Sequence, residues 1–182
     1  MKKSIALSAL IAALFINNAN AGEYKFYTGG DYVNSTYNVS GIYPDNYDIA
    51  NFVGGINFVD VASVELFLQH SLKEKETVNG ITSHGKTYGY GADVYVNAYN
   101  LSEGAILGSV GYGRIYSKLK YGDKKEKDTA NTLRLGVGGE WKVSDVWSLR
   151  SMFRYSLAKG DNFSNAKEFT MGARYYFNDS SY

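Results

Sequence analysis

Two stretches near one end of the 182-residue chain restrict its fold more than any other feature. Trp147-Ser-Leu-Arg-Ser-Met-Phe-Arg-Tyr155 alternates apolar with polar residues, and Phe169-Thr-Met-Gly-Ala-Arg-Tyr-Tyr-Phe177 repeats the pattern after a polar interval. A period of two is the signature of a β-strand, because successive side chains leave opposite faces. One face carries Trp147, Leu149, Phe153 and Tyr155, then Phe169, Met171, Ala173, Tyr175 and Phe177; the other carries Arg150, Arg154 and Arg174. In a soluble sheet the aromatic face would turn inward and the arginines outward. In a closed barrel in lipid the assignment reverses, and the reversal is the reading adopted for the reasons that follow.

The start of the chain has the layout of an export signal. Lys2 and Lys3 precede a short apolar run from Ile5 to Ile16, and Ala19-Asn-Ala21 is a small-x-small cleavage site before Gly22. The run is too short for a membrane helix, and no other stretch approaches the ~18 apolar residues such a helix needs. The expected organisation is a signal peptide over residues 1–21, cut between Ala21 and Gly22, and one domain over residues 22–182.

Composition narrows the class. With no cysteine there are no disulfides, thiolate metal sites or lipidated N-terminal cysteine. A net charge of +1 gives no reason to expect a nucleic-acid partner. Seventeen tyrosines suit surfaces that are apolar at one end and wet at the other, and a single proline suits strands whose ladder bonds water cannot replace.

Eight strands are expected, centred on residues 24–33, 49–58, 63–72, 87–99, 105–117, 132–143, 147–155 and 169–177. In the first and fifth, many glycines leave the facing open. Four long connections, of about eleven to about fifteen residues, alternate with three short ones of about four, five and three. Short turns on one side and longer loops on the other are the layout of an outer-membrane barrel. The fold class is therefore all-β, an eight-stranded antiparallel up-and-down transmembrane barrel.

At this point the chain resembles the small eight-stranded outer-membrane barrels of Gram-negative bacteria: the opacity-type proteins, the Ail/OmpX-type proteins and the transmembrane domain of OmpA. The resemblance rests on the signal peptide, the opening strand Tyr27-Thr-Gly-Gly-Asp-Tyr-Val33, Gly136-Val-Gly-Gly-Glu-Trp141 and the aromatic ending Ala173-Arg-Tyr-Tyr-Phe177. It implies location in the bacterial outer membrane and a structural or surface role. It also implies a closing aromatic as assembly signal; here that is Phe177, with Asn178 to Tyr182 beyond it.

The residues predict where each side chain goes. Glu65, Asp93, Arg134, Glu140, Lys142, Arg150, Arg154, Glu168 and Arg174 fall on inward faces, with Glu140 expected against Arg134, Arg150 or Arg174. Buried charges need partners, and both signs are present. Eight strands leave an interior that side chains just fill, so this set reads first as a polar plug and second as a gated ion path. Tyr24, Phe26, Phe58, Trp141, Trp147 and Phe177 near the short turns, with Tyr116, Tyr155 and Phe169 opposite, form candidate aromatic girdles.

The outer loops hold Lys73, Lys75 and Lys86, then Lys118, Lys120, Lys124, Lys125 and Lys127 among Asp123, Glu126 and Asp128. Such mixed runs are usually solvated. Lipopolysaccharide phosphates and host or matrix molecules are the candidate partners. A monomer is expected, since a closed barrel has no edge to cover.

No catalytic, cofactor-binding or metal-binding set emerges. His70 and His84 each adjoin a serine, Ser71 and Ser83, but neighbours in a strand face opposite ways. Asp31-Tyr-Val-Asn34 and Asp45-Asn-Tyr-Asp48 read as short acidic turns. The alternatives carried forward are a small channel, a lipid A-modifying enzyme acting through a Ser-His-acid set, and a soluble periplasmic barrel enclosing a lipophilic ligand.

Overall fold

The computed structural model describes residues 24–39, 46–58, 61–71, 74–78, 81–121, 124–160 and 163–177. The expected signal peptide, its cleavage position at Ala21 and Gly22, and the tail 178–182 lie outside these residues.

Among the described residues nine strands follow in chain order: β1 Tyr24–Val39, β2 Asn46–Phe58, β3 Ala62–Ser71, β4 Glu74–Val78, β5 Ile81–Leu101, β6 Gly104–Tyr121, β7 Lys124–Lys142, β8 Trp147–Lys159 and β9 Phe163–Tyr176. Apart from β3 and β4, neighbours in sequence pair antiparallel; β1 pairs β9, and β3 and β4 pair successively with β5. The ring therefore has eight staves, one of them in two pieces.

The register fixes its geometry. Starting at Tyr24, directly paired residues run through Phe58, Ala62, Val96, Gly108, Val137, Phe153 and Phe169 and return to β1 at Asn34. The path comes back ten residues along β1 from where it began. That stagger tilts the strands by about 40° from the barrel axis. Closure leaves no sheet edge in the membrane, so every ladder bond there has a protein partner.

Facing follows from strict alternation. Leu66, Leu68, Phe52, Leu135, Val137, Leu149, Phe153 and Met171 all point outward, with Phe52 68% and Leu66 65% exposed. Arg134, Arg150, Arg154 and Arg174 point inward and are buried. This is the inverted arrangement that the arginine-bearing strands predict, and it excludes the soluble barrel with an apolar interior. The two glycine-rich strands, β1 and β6, keep one phase throughout their paired length; the register shifts lie at the outer end of β1, between Asn38 and Val39, and in β5 opposite the start of β6, between Asn97 and Tyr99.

The aromatic side chains are banded. Tyr24, Phe26, Phe58, Trp141, Trp147 and Phe177 are exposed at the short-turn end, where Phe177 N–H donates to the Phe26 carbonyl. Higher on the wall, Tyr32, Tyr90, Tyr112, Tyr155 and Phe169 stand outward. Tyr116 is partly buried two steps beyond Tyr112 on β6.

One expectation needs correcting. The long outer connections are mostly strand: β6 and β7 stay paired to Tyr121 and Lys124, and β5 reaches back to Ile81. Above the upper tyrosines the polarity of the two faces switches. Val33, Tyr37, Tyr47, Ile49, Ile115, Leu119, Ala130 and Ala166 now pack inside as one buried apolar cluster. Lys118, Lys120, Lys125 and Lys127 are outside and exposed. Beyond the lipid, water surrounds the wall, and the ordinary preference for an apolar interior returns.

Candidate functional site

Two places in the barrel gather polar chemistry: the middle of the lumen and the outward face of the tall sheet β5–β7.

In the lumen, antiparallel strands deliver charges to one layer. Glu65 on β3 accepts from Arg150 Nη1 at 2.9 Å and from Arg174 Nε at 2.9 Å. Arg174 Nη1 donates to Asp31 Oδ1 at 2.6 Å, and Asn51 Nδ2 donates to Asp31 Oδ2 at 2.8 Å. Arg134 pairs with Asp93 and lies over the Phe67 ring, 3.8 Å from its centre. Arg154 donates to the Tyr95 hydroxyl, which in turn donates to Glu65 at 3.1 Å, and stands 3.7 Å from Asp93. Nearer the short turns, Arg150 meets Glu140 at 2.6 Å, and Glu140 also accepts from Ser148 and Tyr176. Charges this deep persist only when paired and hydrogen-bonded, and these are.

Of the residues predicted for the lumen, Glu65, Asp93, Arg134, Glu140, Arg150, Arg154 and Arg174 are thus brought into one connected set. Glu168 is buried and lies beside Arg154 in register, but its carboxylate accepts no hydrogen bond among the described residues. Lys142 keeps the inward phase but lies exposed at the rim, where it lines a cavity of about 150 Å³ with Lys25, Asn57 and Glu140.

Sequence reasoning missed Asp31, which is no turn residue but sits in mid-strand, buried against Arg174. The glycines ahead of it hid its facing; its phase relative to outward Phe26 was the available signal. Tyr95 and Tyr176 were missed as network members for want of charge. Asp48 likewise lies within β2, where its Oδ1 accepts from Asn34 at 3.1 Å. Gly172 and Gly111 are the spacers: a Cβ on either would overlap the carboxylates of Asp31 or Asp93.

The serine–histidine neighbours are split. Ser71 is buried toward the lumen, whereas His70 is exposed on the outer face and stacks on Tyr88 with ring centres 4.7 Å apart.

On the tall sheet, alternation sorts the mixed charge run. Glu126 and Asp128 share the inward phase with Ser117 and Leu119; Lys125 and Lys127 take the outward one. The register then aligns basic side chains. Lys86, Lys118 and Lys127 form one cross-strand row, and His84, Lys120 and Lys125 the next. Directly opposed like charges destabilise a sheet by a few tenths of a kcal/mol or more per pair. Below the rows, Lys118 Nζ lies 5.2 Å from the centre of Tyr88, and Arg114 lies 5.4 Å from that of Tyr116.

An edgeless, lipid-faced ring with a charged interior is an integral outer-membrane β-barrel. Residues 6–177 match the model of the outer membrane protein beta-barrel domain, and the chain belongs to that family. The protein is accordingly placed in the bacterial outer membrane. Ail, the attachment invasion locus protein of Yersinia pestis, is 18% identical with a TM-score of 0.58, over 86% of this chain and 99% of that one. Ail has also been solved with the heparin analogue sucrose octasulfate (17% identical, TM-score 0.57). Neisserial surface protein A is 13% identical with a TM-score of 0.60, over 85% and 97% of the two chains. The N-terminal β-barrel domain of Pseudomonas aeruginosa OprF is 10% identical with a TM-score of 0.56, over 85% and 100%. At these identities the likeness is one of fold. A search of curated proteins by sequence returns no match.

Proposed function

We propose that the protein is a monomeric surface barrel whose work is adhesion, done by the tall sheet, with the lumen serving to hold the barrel together. The observation that carries this is the alignment of lysines in cross-strand rows on the outward face of β5–β7. Such rows are unfavourable alone and become favourable against a polyanion that spans them. Lys120 and Lys125 of the outer row, with Lys127 of the row below, are exposed beyond the upper aromatic band, where a host or matrix polymer can reach them. The complex of Ail with a sulfated sugar supports a sulfated polysaccharide as the partner class.

The test is retention of the detergent-solubilised protein on immobilised heparin. Wild type is expected to elute only with added salt. Replacing Lys120, Lys125 and Lys127 together by glutamate should abolish retention and leave the heat-induced gel shift unchanged. Unaltered retention in the triple variant would refute the proposal.

A further inference from the structure

We infer that the mouth of the barrel at the short-turn end is a second binding site, which takes a short peptide bearing two carboxylates. It lies at the opposite end from the lysine rows and shares no residue with them.

The cavity of about 150 Å³ at this mouth has the form of a cup. Its floor is the lowest tier of the lumen network, Glu140, Ser148, Arg150 and Tyr176, with Leu107 beside it. The charges of the floor are already met. Glu140 Oε1 accepts from Ser148 at 2.6 Å and from Tyr176, and Oε2 accepts from Arg150 Nε at 2.7 Å. Arg150 is shared with Glu65 as well. The floor therefore has little charge left to offer, and a ligand is met by the rim.

The rim is basic on one side and lined with amides on the other. Lys25 on β1 and Lys142 on β7 both point into the cup, and neither forms an ion pair among the described residues. Around the wall β9 and β8 separate them, three strand spacings or about 14 Å. The two ammonium groups thus meet a ligand at two points and do not close on a single anion. Asn57 stands beside Lys25 in register, and Asn97 and Asn100 line the far wall, joined by a 3.2 Å bond from Asn97 Nδ2 to Asn100 Oδ1. A side-chain amide offers both a donor and an acceptor, the complement of a peptide group. Asp145, in the turn beside Lys142, adds an acceptor for a ligand N–H.

Separated cations and a wall of amides select an extended ligand with carboxylates at two points and peptide bonds between them. A compact phosphate would reach one lysine and leave the amides idle. The cup is smaller than the ~300 Å³ that takes a drug-sized molecule, so it admits the end of a peptide and no folded chain. Short turns face the periplasm, so the ligand arrives from that side, as a free peptide or one carried by the cell-wall polymer.

The experiment is calorimetric titration of the detergent-solubilised protein with two probes. One is acetyl-Ala-Glu-Ala, which carries two carboxylates; the other is its uncharged counterpart acetyl-Ala-Gln-Ala-amide. Wild type is expected to bind the acid about tenfold more tightly than the amide, or better. The double variant Lys25→Gln, Lys142→Gln should lose that preference and keep the heat-induced gel shift. Asn97→Leu retains both lysines and should weaken the acid and the amide alike. Failure of wild type to bind, equal binding of the two probes, or full binding of the acid by the double variant would each overturn the site. The triple glutamate variant of Lys120, Lys125 and Lys127 should bind the acid as wild type does. A parallel loss there would overturn the site in favour of attraction to net charge. Sedimentation with isolated wall sacculi separates the two sources. Co-sedimentation that the double variant loses supports the site with wall peptide as its ligand, and peptide binding without co-sedimentation supports it with free peptide.

Discussion

Glu65 is the residue on which most of the lumen converges. It receives two arginines from two strands and a tyrosine hydroxyl from a third, and it is fully buried. Its loss takes one of two carboxylates from each arginine, Arg150 keeping Glu140 and Arg174 keeping Asp31. Glu65→Gln should lower stability by about 1–3 kcal/mol, the cost of leaving buried hydrogen-bonding groups short of a partner. Urea titration of tryptophan fluorescence in lipid vesicles measures this; a loss below about 0.5 kcal/mol would mean that Glu140 and Asp31 satisfy both arginines alone. A double-mutant cycle of Glu65→Gln with Arg174→Met should be non-additive, since the second change removes a cation that the first deprived of a partner. At this scale the sequence was readable where charges alternate with large apolar residues along one strand, as Arg150 and Arg154 do. It was opaque at Asp31, whose preceding glycines carry no polarity to set a phase.

Single strands show how far the lipid contrast reaches. Leu66 lies mid-wall on the outward face, between Val64 and Leu68. Leu66→Arg should cost about 2–4 kcal/mol in a bilayer, the penalty for a cation at the midplane of a barrel. The same titration in vesicles measures it, and an effect under 1 kcal/mol would remove Leu66 from the lipid face. Strand cores were legible because lipid outside and charge inside impose opposite demands on adjacent residues. The outer extensions were not. In Lys124-Lys-Glu-Lys-Asp128 both faces are polar, so alternation is present but invisible to a reading that contrasts apolar with polar. Pairing with β6 turns this apparently featureless run into two faces of different charge.

The molecule as a whole is filled along its axis by three successive layers. An apolar cluster closes the outer part, the ion-paired network occupies the middle, and the described cavity opens among Lys25, Asn57 and Glu140 by the short turns. Such a stack supports a sealed barrel over a channel. In planar bilayers the protein should show no long-lived unitary conductance, while its gel mobility shifts on boiling. Discrete, reproducible openings would refute the sealed reading. The class of fold was legible from strand rhythm and the alternation of long and short connections together. The apolar cap was not, because it depends on which parts of each strand rise out of the lipid.

The wall is also uneven. β7 continues from Ala130 to Lys124 past its last pairing with β8, which ends at Asn131 and Lys159, while β5 and β6 rise with it. Among the described residues one flank therefore stands taller than the opposite one, which gives the molecule a heading in the plane of the membrane. Turning about its own axis changes which neighbour it meets with its basic flank. In a crowded leaflet, where it points would matter as much as where it is.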